Sequence, residues 1–334
     1  MNMQNLVRCF SWGAVLFLMA QSLHAQECTV SVNVATAKAV YAEEDLLAVN
    51  LTFSTTADRE TLRLSYPTLQ EPSGVFLDFL PTNGLTRSGN LLNSGGLSFP
   101  RGLLGGQLFK TEVFLQRYLD GFHVGHYDLP WKIKVPCEGK AKPVIAEGRL
   151  SFDVVSSKGG VGLEARLQGE YAGYVSRAQE FTGPDLFLQG ESFRAREAIE
   201  ALRLVRSPLV IPYLEQLAAA ADHDARTGAF DGLIKFSMND EAKRFVFQTL
   251  QSSDPRQIGE GLRVLSAWRV NLPEVDVRTL LIKGDPELQG QVLHYLGFSK
   301  NSEYSAIVDE YAKSSNQIVA SQAKAAAAQL KVKR

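Results

Sequence analysis

The sequence predicts two domains of opposite secondary structure, all-β and then all-α, and three observations carry that expectation. Apolar residues alternate in short runs between Thr29 and Val155, one helical phrase returns at near-constant spacing from Glu191 to Arg334, and a glycine-rich stretch, 156–162, separates the two regions. The chain has 334 residues, enough for two ordinary hydrophobic cores.

The phrase is clearest when aligned on Leu202, Leu233, Leu265, Leu296 and Leu330, which stand 31, 32, 31 and 34 residues apart. Four residues earlier come Ala198, Ala229, Gly261, Val292 and Ala326, and three earlier Ile199, Phe230, Leu262, Leu293 and Ala327. These positions share one face of an α-helix, so each copy presents a small-then-large apolar stripe. Eleven residues before the leucine, Asp222, Asp254 and Asp285 are expected as N-caps, whose carboxylates accept from free amides of the first turn. In the first copy Glu191 holds that place, with the better cap Ser192 beside it. Pro255 and Pro286 fall at the first helical position, where a missing N–H is harmless. Shorter apolar stretches between the phrases, Pro208 to Ala221, Asn239 to Leu250, Pro273 to Ile282 and Ser302 to Tyr311, supply second helices. Helix pairs of this size cannot bury both apolar faces alone, so they are expected to stack with a continuous core.

Asp254-Pro255 and Asp285-Pro286, each followed by the small-apolar-x-x-Leu pattern, resemble the short HEAT-like repeat first associated with bilin lyases. Arg226, four residues past Asp222, fits that family's usual arginine; Ala195, Ile258 and Gln289 replace it in the other copies. The resemblance implies an α-solenoid of about four to five helix pairs. The last copy departs from it, since Val319 stands at the cap position and Gln322 to Ala328 is nearly all alanine; it is expected as a terminal cap.

In the N-terminal region, alternation marks Val30, Val32 and Val34, then Val49, Leu51 and Phe53, then Leu62, Leu64 and Tyr66. Further strands are expected over Gly74 to Phe79, Gln107 to Leu115, Tyr127 to Val135 and Gly148 to Val155. Short strands separated by turn residues predict an antiparallel β-sandwich. The stretch Leu119 to Tyr127 resembles the turn and tyrosine before a late strand of immunoglobulin-like domains, which implies that Tyr127 forms a tyrosine corner. From Pro81 to Gly106 the chain is rich in both glycine and leucine, and Leu91, Leu92, Leu97, Phe99, Leu103 and Leu104 either fold back onto the sandwich or form a contact surface.

Met1 to Ala25 carries one basic residue, Arg8, an apolar run from Ala14 to Ala20, and Ser22-Leu23-His24-Ala25, the pattern of a secretory signal peptide. The run is shorter than the roughly 20 residues that span a bilayer. Cleavage after Ala25 is therefore expected, giving a periplasmic or secreted protein with no integral membrane segment. The expected division is 1–25 signal peptide, 26–155 β-sandwich, 156–162 linker, 163–190 capping helix and 191–334 solenoid. In the capping helix, Leu163, Leu167, Tyr171, Tyr174, Val175, Ala178 and Phe181 share a face.

Thirty-five basic residues against 36 acidic ones, spread evenly over both regions, argue against nucleic acid or an anionic membrane as a partner. With Cys9 in the signal, Cys28 and Cys137 remain; an exported chain favours a disulfide between them over free thiols or metal ligands. His123, His126 and Asp128 are the one cluster of candidate metal ligands, with His126 and Asp128 on one side of a strand. His223 and His294 are expected as ordinary helix residues. No Gly-x-Ser-x-Gly, His-Glu-x-x-His or paired-cysteine motif occurs. No cofactor is expected. The function expected is a non-catalytic scaffold that binds protein partners through polar rows on the second helices, Glu215, Lys243, Arg244, Glu274, Arg278 and Glu303. The alternative is a carbohydrate, small-ligand or metal-dependent activity carried by the β-sandwich, with the repeats as support.

Overall fold

A computed structural model describes residues 30–55, 76–82, 84–88, 108–135, 143–157, 162–179, 190–220 and 222–331. Cys28, Cys137, the expected strand around Leu62 to Tyr66, Phe181 and the apolar residues from Leu91 to Leu104 lie outside them, as do the signal segment and residues 158–161.

The described N-terminal residues form β1 (Val30–Thr36), β2 (Val40–Ala42), β3 (Ala48–Thr55), β4 (Phe76–Phe79), β5 (Thr86–Arg87), β6 (Leu108–Phe114), β7 (Leu119–Asp120), β8 (Gly125–Val135) and β9 (Val144–Val155). One sheet has the order β1-β3-β6, a second the order β2-β9-β8-β4, and β5 pairs with β7. Alternation places Val49, Leu51 and Phe53 of β3 and Leu129, Trp131 and Ile133 of β8 in one buried core shared by the two larger sheets. The expectation of purely antiparallel pairing needs one correction, because β2 runs parallel to β9. The chain leaves the first sheet after β1 and continues along the edge of the second, so its two segments serve different sheets. Tyr127 meets the expected corner geometry: its hydroxyl donates to the His123 carbonyl at 2.9 Å and accepts from the His123 amide at 2.9 Å.

Among the described residues ten α-helices follow: α1 (Leu163–Gln179), α2 (Gly190–Leu204), α3 (Ile211–Ala218), α4 (His223–Leu233), α5 (Asp240–Thr249), α6 (Pro255–Trp268), α7 (Glu274–Lys283), α8 (Pro286–Ser299), α9 (Ser305–Tyr311) and α10 (Gln317–Lys331). The phrase helices are α2, α4, α6, α8 and α10, and their leucine column is buried except at the end of α10. Asp222, Asp254 and Asp285 cap as expected, accepting from the amides of Ala225, Arg256 and Leu288. Two cap expectations are corrected. Helix α2 begins at Gly190, so Glu191 and Ser192 lie within its first turn rather than before it. Asn316 caps α10, accepting from Ile318 and Val319, and Val319 is fully buried; this helix starts before the position the leucine spacing assigns to its cap.

Successive phrase helices pack on one another, α2 on α4, α6 on α8 and α8 on α10, and each intervening helix packs on the phrase helix that follows it. One continuous core runs from Leu167 in α1 to Ala326 in α10. Side chains also tie one repeat to the next. Trp268 donates to the Ile234 carbonyl at 2.6 Å, and the Tyr295 hydroxyl bridges the Leu272 amide and the Val270 carbonyl, each at 2.8 Å. Arg226, buried in α4, donates to the Ala220 carbonyl behind α3, and Gln289 donates to the Leu281 carbonyl within α7. Arginine and glutamine thus close equivalent turns at equivalent repeat positions. Among the described residues no helix is long and apolar enough to cross a membrane.

Candidate functional site

The helical half meets the β half through α1 and α2. Ala48 and Phe114 pack with Ala201 and Leu204, and Phe114 makes an edge contact with Tyr174. Polar contacts surround this patch: Arg166 with Asp45, Arg206 with Asp120, and Glu197 with Thr111 and the Glu112 amide. Desolvation raises the carboxyl pKa of both Glu197 and Glu112.

A groove of 1430 Å³ crosses the phrase helices α4, α6, α8 and α10. Glycines let these helices approach closely. A Cβ on Gly297 would lie 2.9 Å from the Ala326 Cα, and one on Gly228 would lie 2.2 Å from Ile199 Cγ2. Arg263 of the groove floor ends a charge ladder that runs out of the groove, in which Asp231 meets Arg263, Arg203 meets Asp231, and Glu200 meets Arg203. Arg263 also pairs with Glu260, which accepts from Thr227 at 2.7 Å. The floor acid Glu260 is thereby paired within the stack. Above it, the exposed Phe298 ring lies against His294 with centroids 4.5 Å apart, and Ile318 is exposed on α10.

Cations stand at or just past the C-terminal end of every phrase helix: Arg206, Lys235, Arg269, Lys300 and Lys331. Arg269 and Lys300 end α6 and α8 in left-handed backbone, at φ 57° and 56°. Arg206 is taken by Asp120, whereas Arg269, Lys300 and Lys331 have no carboxylate partner among the described residues. Lys235 is exposed as a residue, yet its ammonium donates to the Arg203 carbonyl; desolvation there, then the charges of Arg206 and Arg203, lower its pKa to about 7.

The six polar residues expected to form partner-binding rows lie away from this groove. Arg278 is held by Glu274 and Glu310, Lys243 lies near Asp240, Arg244 near Glu241, and exposed Glu303 beside Asn301. Glu215 is not on a solvated row: it is half-buried, its Oε1 has no hydrogen-bond partner among the described residues, and desolvation followed by the Glu241 charge raises its pKa. The packing of α5 against α3 accounts for this.

The candidate metal cluster is dispersed into surface pairs. His126 Nδ1 lies 2.8 Å from Asp153 Oδ1, Arg149 donates to Asp128 at 2.7 Å, and His123 turns back to the Gly121 carbonyl. No group of three or more potential ligands occurs among the described residues. His126 Nε2 is 3.5 Å from Ser151 Oγ, so serine, histidine and aspartate stand in the order of a nucleophilic triad. Ser151 and His126 are exposed and Asp153 is half-buried, and neither this groove nor a smaller one between α5 and α7 reaches them.

The class these observations define is a β domain joined to stacked helical repeats. No family model matches the chain, and no curated protein matches it. Among solved structures, two engineered proteins are similar at 18% and 17% identity, each with a TM-score of 0.29. The alignments cover 48% and 52% of this chain and 80% and 93% of those proteins. A designed armadillo repeat protein is similar at 11% identity and a TM-score of 0.26, over 52% of this chain and 96% of its own. The repeat assignment rests on the helix packing described above.

Proposed function

We propose that this protein is an exported, non-catalytic scaffold that binds protein partners through its helical repeats. The observation that carries this reading is the groove across four phrase helices, which combines exposed apolar side chains with unpaired cations over a floor whose own charges are already paired. Long recesses of this kind, built from equivalent positions of stacked repeats, suit extended partners. The groove favours the phrase-helix face over the second-helix rows, where Arg278 already spends its hydrogen bonds on Glu274 and Glu310.

The N-terminal half is read as an immunoglobulin-like sandwich. Taken in chain order, β1, β3 and β6 match the A, B and E strands of that fold, and β4, β8 and β9 its C, F and G strands. The repeats are read as HEAT-like. Cys28 and Cys137, just outside β1 and β8, are proposed to be bridged; alkylation of both cysteines without prior reduction, read as added mass, would refute the bridge.

The scaffold reading is tested by capture of partners from the exported fraction with three proteins: wild type, Ala267→Arg to obstruct the groove, and His126→Ala with Asp128→Ala on the sheet. Loss of specific capture only with the groove variant supports it. Loss only with the sheet variant transfers function to the β half.

A further inference from the structure

Resting on the scaffold reading, we propose that the groove takes an extended acidic peptide segment, with carboxylates spaced about every third residue and apolar side chains between them. The cations Arg269, Lys300 and Lys331 recur at the ends of consecutive phrase helices, 31 residues apart in each case. Packed helices lie about 8 to 10 Å apart. A chain in the extended polyproline II conformation has three residues per turn and advances roughly 3.1 Å per residue, so three residues cover about one helix-to-helix step. Laid across the helix ends in that conformation, it brings every third side chain, on one face, to the next cation.

Two further observations fix the chemistry. The groove acid Glu260 and the adjoining Asp231 are held within the stack by Arg263 and Arg203, which leaves Glu287 as the groove's opposing carboxylate against Arg256, Arg269 and Lys300. Phe298 stands in the same groove two residues from Lys300 and is 48% exposed, and Ile318 is 64% exposed. Apolar surface beside a cationic row suits a peptide, which supplies both kinds of side chain, better than a uniformly charged polymer. The helix dipole accounts for cations at helix ends. It does not account for left-handed backbone at Arg269 and Lys300, where glycine is the unstrained choice.

The test is fluorescence anisotropy of the purified protein with labelled peptides: a repeat of Glu-Ser-Phe, the same composition with its glutamates clustered at one end, and a repeat of Lys-Ser-Phe. Inorganic polyphosphate serves as competitor. The spaced acidic peptide should bind best, weaken with added salt, and lose roughly tenfold or more in affinity on Arg269→Glu with Lys300→Glu. Arg269→Gly with Lys300→Gly should weaken it while preserving the fold, and Phe298→Ala should weaken it without changing the salt slope. Equal or tighter binding of the lysine peptide overturns the proposal, as does binding of polyphosphate that displaces the acidic peptide and ignores Phe298→Ala. Panning a random peptide library separates the two levels of failure. Enriched peptides that lack acids and are lost on Phe298→Ala would overturn the acidic assignment alone; an absence of enrichment would take the scaffold reading with it.

Discussion

The Glu197 carboxylate of α2 accepts a hydrogen bond from the Glu112 backbone amide of β6 at 2.8 Å, across the junction of the two halves. Among the described residues β6 is an edge strand, so this bond satisfies an amide that has no partner in the sheet there. It also places two carboxyl groups in one partly desolvated region, with Arg177 and Lys38 as the nearby cations.

That arrangement sets a pH dependence. Both carboxyl groups have folded pKa values above the ordinary carboxylate range, with desolvation as the main cause. Above its raised pKa each is ionised at a cost, and the cost disappears as the pH falls through that pKa toward the unfolded value. Thermal stability should therefore rise on mild acidification and decline as the pH climbs back toward neutrality. Glu197→Gln should flatten this slope in melting curves taken across the acidic range; an unchanged slope would show that the junction does not titrate.

Two glycine substitutions should separate by their neighbours. In Gly297→Ala the new methyl meets the Ala326 Cα at 2.9 Å, backbone that cannot step aside, and a loss of about 1 to 3 kcal/mol is expected. In Gly259→Ala it meets the end of the Gln291 side chain, whose Oε1 has no partner to lose, so the gain in helix propensity of about 1 kcal/mol should offset the rearrangement. Chemical denaturation measures both, and equal losses would contradict the packing described for the phrase helices.

Much of this stack was legible in the sequence, because the 31- and 32-residue columns and the aspartate caps are local patterns. The groove was not. Periodicity identifies which face of each helix is buried, but it does not tell whether phrase helices or intervening helices line the recess. Gly228, Gly259 and Gly290, each 31 residues from the next in the phrase helices, held that signal, because small residues mark close helix approach. Glu215 was misread because its cover comes from α5, an element distant from its own helical wheel. The cluster of His123, His126 and Asp128 dissolved for a similar reason: its partners Asp153 and Arg149 come from β9, through the register that sets His126 opposite Asp153.

Arg269→Gly and Lys300→Gly should each stabilise the fold by about 1 kcal/mol, since each side chain now occupies left-handed backbone that glycine adopts without strain. Urea denaturation midpoints report the effect. A loss of stability in both would mean that the side chains make contacts outweighing the backbone strain.

Limited trypsin digestion should cut at Lys158, in the glycine-rich junction, and leave two resistant fragments. Each half buries its own core, and their shared contact is a small apolar patch ringed by polar bridges. A single resistant fragment spanning the junction would mean that the two halves fold as one unit.

The measurement that bears most directly on the scaffold reading is site-specific photo-crosslinking. A photoreactive amino acid is placed either at Ala267, in the groove, or at Lys243, on a second helix, and each protein is irradiated with periplasmic and secreted fractions of the producing cell. A discrete crosslinked partner is expected from Ala267, lost on Phe298→Ala, and none from Lys243. A discrete partner from Lys243 with nothing from Ala267 would contradict the scaffold reading.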